Sequence, residues 1–194
     1  MYVSNLKKYL YLSQATLFVC LLICSLIIPS VLIKNGGVSN FGNHLNTVVF
    51  YVLGFLSNIV FIYLVAEVIL KFEENLVYIA RGFMLLSFLT FVVLISTFPR
   101  HFSFTFSVIH DYLGIALFSY YIIISIWIVL KQYSPLALAL LSIEAIGSTI
   151  GLLSTLKITH LLFVGQIIGA LGFGLLLCIV FPKIINNQLK FTKV

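Results

Sequence analysis

The sequence predicts an all-α polytopic membrane protein, a single bundle of six transmembrane helices. Hydrophobic residues make up 62% of the chain and charged residues only 8%, against about a quarter charged in a soluble domain. The mean hydropathy is +1.20. Apolar runs of roughly 20 residues, the length that crosses a bilayer, follow one another with only short polar breaks. The 194 residues therefore read as one transmembrane domain over 1–194, with no room for a soluble domain between spans. Lipid is the solvent, so close packing must hold the helices together.

The first span is expected over 9–33. Lys7 and Lys8 before an apolar stretch resemble a signal peptide, but Tyr9 to Ile33 is too long for one and no small-residue cleavage site follows. Asn35-Gly36-Gly37 ends this span. Asn43 is placed to cap the second, 44–70. Lys71, Glu73, Glu74 and Asn75 form a polar turn before the third, 77–98, which stops at Pro99. An aromatic loop from Arg100 to Ser107 leads to the fourth, 109–130. Ser134-Pro135 is a cap and first-turn pair for the fifth, 135–156, and Lys157 marks a tight turn. The sixth, 159–181, ends at Pro182-Lys183. Phe98-Pro99-Arg100 and Phe181-Pro182-Lys183 end two spans alike, but nothing else aligns and no repeat is read from them.

Basic residues orient the bundle. Counting an inside N-terminus, Lys7, Lys8, Lys71, Arg81, Lys131, Lys183, Lys190 and Lys193 lie inside, and only Lys34, Arg100 and Lys157 lie outside. The excess predicts a cell-membrane protein with both termini cytoplasmic. The net charge of +6 is scattered singly, without the basic patch that nucleic acid requires, so no nucleic-acid partner is expected. Cys20, Cys24 and Cys178 all sit in apolar runs with no CxxC pair and read as small packing residues.

With that orientation every histidine, His44, His101, His110 and His160, falls on the outer side, together with Asn40, Asn43, Asn46, Arg100, Asp111 and Lys157. Polar stripes descend from this face at helical spacing: His44, Thr47, Tyr51, Gly54 and Asn58; Thr97, Thr90 and Ser87; His110, Gly114, Tyr121 and Ser125; Thr155, Gly151, Ser148 and Glu144. Polar groups inside a span face the bundle interior, so a central, outward-open polar cavity is expected. Its ligand-binding candidates are Ser39, Asn43, His44, Tyr51, Arg100, His110, Asp111, Glu144 and His160. Glu144 falls near the middle of its span, where a charge is costly and the neutral acid is favoured. Gln166 is the partner expected for it. Gly165, Gly169 and Gly172 form a small-residue face on the sixth span, suited to close packing within the bundle or to a homo-oligomer.

His44, His110, His160 and Asp111 offer imidazole and carboxylate ligands for a zinc ion, although no two histidines have the i, i+4 spacing of a strong motif. No cofactor is otherwise expected. Haem would need facing histidine pairs. A Ser39-His110-Asp111 triad is disfavoured because adjacent helical residues point about 100° apart.

Ser39-Asn40-Phe41-Gly42, Phe98-Pro99-Arg100 and His110-Asp111-Tyr112-Leu113-Gly114 together resemble a six-helix prokaryotic membrane family of unknown function, with its Ser-x-x-Gly, Phe-Pro and His motifs. They are distantly similar to the Frag/DRAM/Sfk group, linked to lipid remodelling. The resemblance covers roughly residues 30–120 and implies an outward-facing site around Ser39, Gly42, Pro99, His110 and Asp111. A weaker likeness is to ceramidase and progestin-receptor-like membrane hydrolases, whose paired histidines on a last helix this chain lacks. Three readings follow: binding or movement of a lipid headgroup or small polar solute, with membrane lipids as partners; a metal-dependent lipid hydrolase; or an accessory membrane subunit.

Overall fold

The computed structural model describes residues 2–33, 36–71 and 76–191. Lys34, Asn35, Glu73, Glu74, Asn75 and Lys193 lie outside the described residues, as do the side chains of His101 and Lys190. The described chain is helical: α1 Tyr2–Ile27, the single turn α2 Ser30–Ile33, α3 Val48–Leu70, α4 Val77–Thr97, α5 Phe104–Lys131, α6 Pro135–Thr155, α7 Leu162–Ile179 and α8 Phe181–Phe191. Two 3-10 turns, Val38–Asn43 and Pro99–His101, complete it. Among the described residues six helices are long and apolar enough to cross a membrane, and the protein is a multi-pass all-α bundle. Leu22, Leu26, Leu53, Phe88, Ile123 and Ile146 point outward, which is the surface that a lipid solvent selects.

Several helix ends differ from the sequence expectation, each for a local reason. α1 stops at Ile27 because Pro29 disfavours helical backbone at the residue before it. Asn43 does not cap α3; it closes a 3-10 turn, its Nδ2 donating to Ser39 O at 3.3 Å, and the helix starts at Val48. α5 begins at Phe104 because the Ser103 hydroxyl accepts from Phe106 N at 3.3 Å, an N-cap contributing about 1 kcal/mol. Half of the expected aromatic loop is thus its first turn. Pro182 does not end the chain's helical path: α7 breaks at Val180, and Pro182 falls in the first turn of amphipathic α8, where its missing N–H leaves no bond unmade.

Other signals match. Ser134 accepts from Ala137 N at 3.1 Å ahead of Pro135. Lys157 turns the chain with φ 61°: Lys157 N bonds Ser154 O and Ile158 N bonds Leu153 O, the pairing of a Schellman C-cap.

The main core lies at the end of the bundle where α1 begins and α7 ends. Leu6, Leu10, Ile62, Val65, Ile128, Leu176 and Phe181 are buried there, and Tyr121 stacks on Phe173 at 4.1 Å. A smaller cluster of Leu17, Leu21, Phe41, Tyr51 and Leu94 fills the opposite end between α1, α3 and α4. The closest pairings are α6 with α7 and α1 with α3. A Cβ on Gly54 would stand 2.8 Å from Cys20 Cβ. Between α6 and α7 Gly147 meets the Gly169 backbone, Gly165 meets Gly151, and Gly172 meets Glu144. This antiparallel register puts the two backbones in direct contact. The glycine face is therefore occupied within the chain by α6. α5 has no comparable close partner along its first half, and that difference opens the site.

Candidate functional site

The polar stripes of the second and third spans are spent on helix packing. Thr47 is buried just before α3, Tyr51, Gly54 and Asn58 are buried on α3, and Ser87, Thr90 and Thr97 on α4. Tyr51 Oη and Thr97 Oγ1 lie 3.0 Å apart. Asn58 Nδ2 donates to Ser13 Oγ at 2.9 Å, and Ser87 Oγ to Ile59 O at 2.9 Å. The cavity consequently does not run down the bundle axis. It opens to one side, between α5 and α6, with a volume of about 390 Å³.

Its mouth is built from three loop ends. The Pro99–His101 turn swings Arg100 over the Val38–Asn43 turn, where Nη1 donates to Ser39 Oγ and Nη2 to Asn40 Oδ1 at 2.7 Å. Val38 N donates to Gln166 Oε1 at 2.7 Å, which pins the same turn to α7. Gly42 allows this turn to sit down: a Cβ there would come within 2.8 Å of both Thr97 Cγ2 and the Tyr51 ring. From α5 come His110 and Asp111. His110 is only 6% exposed, and its Nδ1 lies 2.8 Å from Ser96 Oγ. Ser96 gives its one hydroxyl hydrogen to Val93 O at 2.8 Å. His110 must therefore donate from Nδ1, which leaves Nε2 as the ring's second nitrogen.

Arg100 is the electrostatic centre. Its direct acceptors, Ser39 and Asn40, are both uncharged. Burial lowers its pKa from the ordinary arginine value, and the field of Asp111 offsets part of that. Arg100 and Asp111 line the same mouth without forming an ion pair, so a cationic and an anionic group stand apart there. Deeper, the walls turn apolar and small: Ile115, Phe118 and Ile122 on α5 face Ala145, Ser148, Thr149, Gly151 and Leu152 on α6. Ser119, Ala145, Thr149 and Leu152 are exposed, although Ala145 is at the middle of its span. The cleft is thus open sideways at bilayer depth.

Of the expected ligand-binding residues, Ser39, Arg100, His110 and Asp111 line this cavity. Asn43, His44, Tyr51 and His160 do not: His44 and His160 are exposed, and Tyr51 is buried behind the mouth. Lys157, expected to attract anions, is exposed and outside the lining. Glu144 lies one helical turn beneath the lining residue Ser148, with none of its surface exposed. Gln166 is not its partner, being bonded to Val38. The zinc ligand set is not assembled: among the described residues no three His, Cys, Asp or Glu side chains converge as a metal-binding group. The apolar wall was not anticipated. Its signal was the run of small residues at Ala145, Gly147, Ser148, Thr149 and Gly151.

No protein family, curated protein or solved structure matches this chain.

Proposed function

We propose that this protein binds the headgroup of a membrane phospholipid at the Arg100 mouth, with an acyl chain lying in the cleft between α5 and α6. The observation that carries the reading is Arg100 itself, a half-buried guanidinium whose bonded partners are neutral oxygens. A buried cation is costly without a counter-charge. A phosphate placed at the mouth supplies that charge through short, charge-assisted bonds. The cleft's sideways opening and its apolar wall of Ile115, Phe118, Ile122 and Leu152 suit an amphipathic ligand that arrives from the bilayer rather than from water. Asp111 favours a headgroup that also carries an ammonium. The excess of Lys and Arg at the opposite end of the bundle supports an outward-facing mouth in a cell membrane.

The test uses the detergent-purified protein and two probes, a fluorescent lysophosphatidylethanolamine and free inorganic phosphate. The lysophospholipid should bind saturably. Arg100→Gln should weaken it about 10- to 100-fold, the loss expected for a charge-assisted bond. Ala145→Phe, which fills the wall, should weaken the lysophospholipid alone. Equal binding by wild type and Arg100→Gln would overturn the reading. Binding of phosphate with no binding of the lysophospholipid would replace it by a small polar solute.

A further inference from the structure

Beneath the cleft lies a second polar feature that headgroup binding does not use. Glu144 is one residue from the midpoint of α6, and both carboxyl oxygens are buried without a hydrogen-bond partner. The Ser125 hydroxyl on α5 and the Ser148 hydroxyl one turn above on α6 are buried and unpartnered too. Ser125 is near enough to interact with the carboxyl but stands outside hydrogen-bonding geometry. α7 contributes Gly172, whose absent Cβ would stand 2.5 Å from Glu144 N and 2.8 Å from its Cα and Cβ, followed by Phe173. Tyr121 of α5, stacked on that phenylalanine, is a titratable side chain that the field of Glu144 reaches. No ion pair involves Glu144 among the described residues. A carboxylate enclosed this way at bilayer depth has neither counter-ion nor donor, so its stable form there is the neutral acid.

We infer that Glu144, with Ser125 and Ser148, forms an occluded proton-binding site whose access lies through the cleft floor. Ser148 lines the cleft and is about 6 Å along the helix from Glu144; with its hydroxyl buried, it closes the floor between the wet cleft and the dry acid. The balance is simple. The acid O–H bond breaks, the proton passes to water admitted past Ser148, and one negative charge remains on Glu144. That charge is tolerated only while water reaches it. Release therefore requires α6 to part from α5 at Ser125, the same separation that widens the cleft. Proton occupancy and cleft width are then two readings of one movement.

Infrared difference spectroscopy of the full-length protein tests this without any lipid ligand, so it is independent of the headgroup proposal. At neutral pH the wild type should show the carbonyl band of a protonated carboxylic acid. Carbon-13 labelling of glutamate should shift that band in the folded wild type, which separates it from Asp111. Glu144→Gln, a neutral isostere, should fold normally and lack the band. The band should move in heavy water, and Ser148→Leu, which plugs the floor, should slow that exchange at least several-fold. A wild type without the band, a band that survives in Glu144→Gln, or exchange unaffected by Ser148→Leu would each overturn the inference.

Discussion

Gly42 and Tyr51 show how single residues set the mouth. The Tyr51 ring and Thr97 Cγ2 fill the space that a Cβ on Gly42 would need. Thr97 gives its hydroxyl hydrogen to Val93 O at 3.1 Å, so Tyr51 is the donor in the 3.0 Å contact between the two side chains. Tyr51→Phe therefore removes the donor to buried Thr97 Oγ1, which keeps only its own bond to Val93 O; it should cost about 1 kcal/mol. Gly42→Ala forces the packed neighbours apart and should cost more, about 1–3 kcal/mol. Thermal unfolding in detergent, followed by dye reaction at the buried Cys24 and Cys178, reads both, and a reversed order would contradict the packing described. Residue types that carried the site were visible beforehand where chemistry alone marks them, as for Ser39, Arg100, His110 and Asp111. His44 and His160 are chemically identical candidates but face outward, and nothing in residue type distinguishes a buried imidazole from an exposed one.

At the scale of elements, α6 and α7 act as one unit, their glycines letting the backbones touch. Gly147→Leu should break this contact and lower stability by several kcal/mol, because the obstruction is the Gly169 backbone rather than a movable side chain. Gly114 on α5, with nothing within 4 Å of its Cβ position, is the control: Gly114→Ala should leave the unfolding midpoint within the small range of a surface change. Equal loss in the two variants would mean that α6 and α7 do not meet as described. α5 is joined to α6 by the short Lys131–Pro135 turn at one end, with no glycine partner along the cleft. Span existence was legible because an 18-residue apolar window is a strong signal. Span ends were less so, because Ser103 and Pro182 decide them through local bonding that competes with hydrophobic patterning.

The whole molecule is closed at one end and open at the other. Large apolar side chains fill the end holding Leu6, Ile128 and Phe181. Polar turns and small residues leave a hollow between α5 and α6 at the other. The positive-charge bias predicts that the hollow end faces outward. Single cysteines at His160 and Tyr133, both exposed and at opposite ends of α6, check this in a background without native cysteines. An impermeant maleimide applied to intact cells should label His160→Cys at once and Tyr133→Cys only after permeabilisation. The reverse pattern would turn the mouth inward and remove the outer-leaflet lipid from consideration.

Composition and periodicity alone determined a six-span helical membrane protein, the inward face of the polar residues within the spans and the unusual position of Glu144. These follow from hydropathy and helical geometry, which act within one segment. Only the tertiary structure decided that two stripes are consumed by packing, that the cavity lies between α5 and α6 rather than on the axis, and that Arg100 pairs with Ser39 and Asn40. These depend on how closely neighbouring backbones approach. That distance is set by pairs of small residues on different helices, such as Gly147 with Gly169, whose register no single segment encodes.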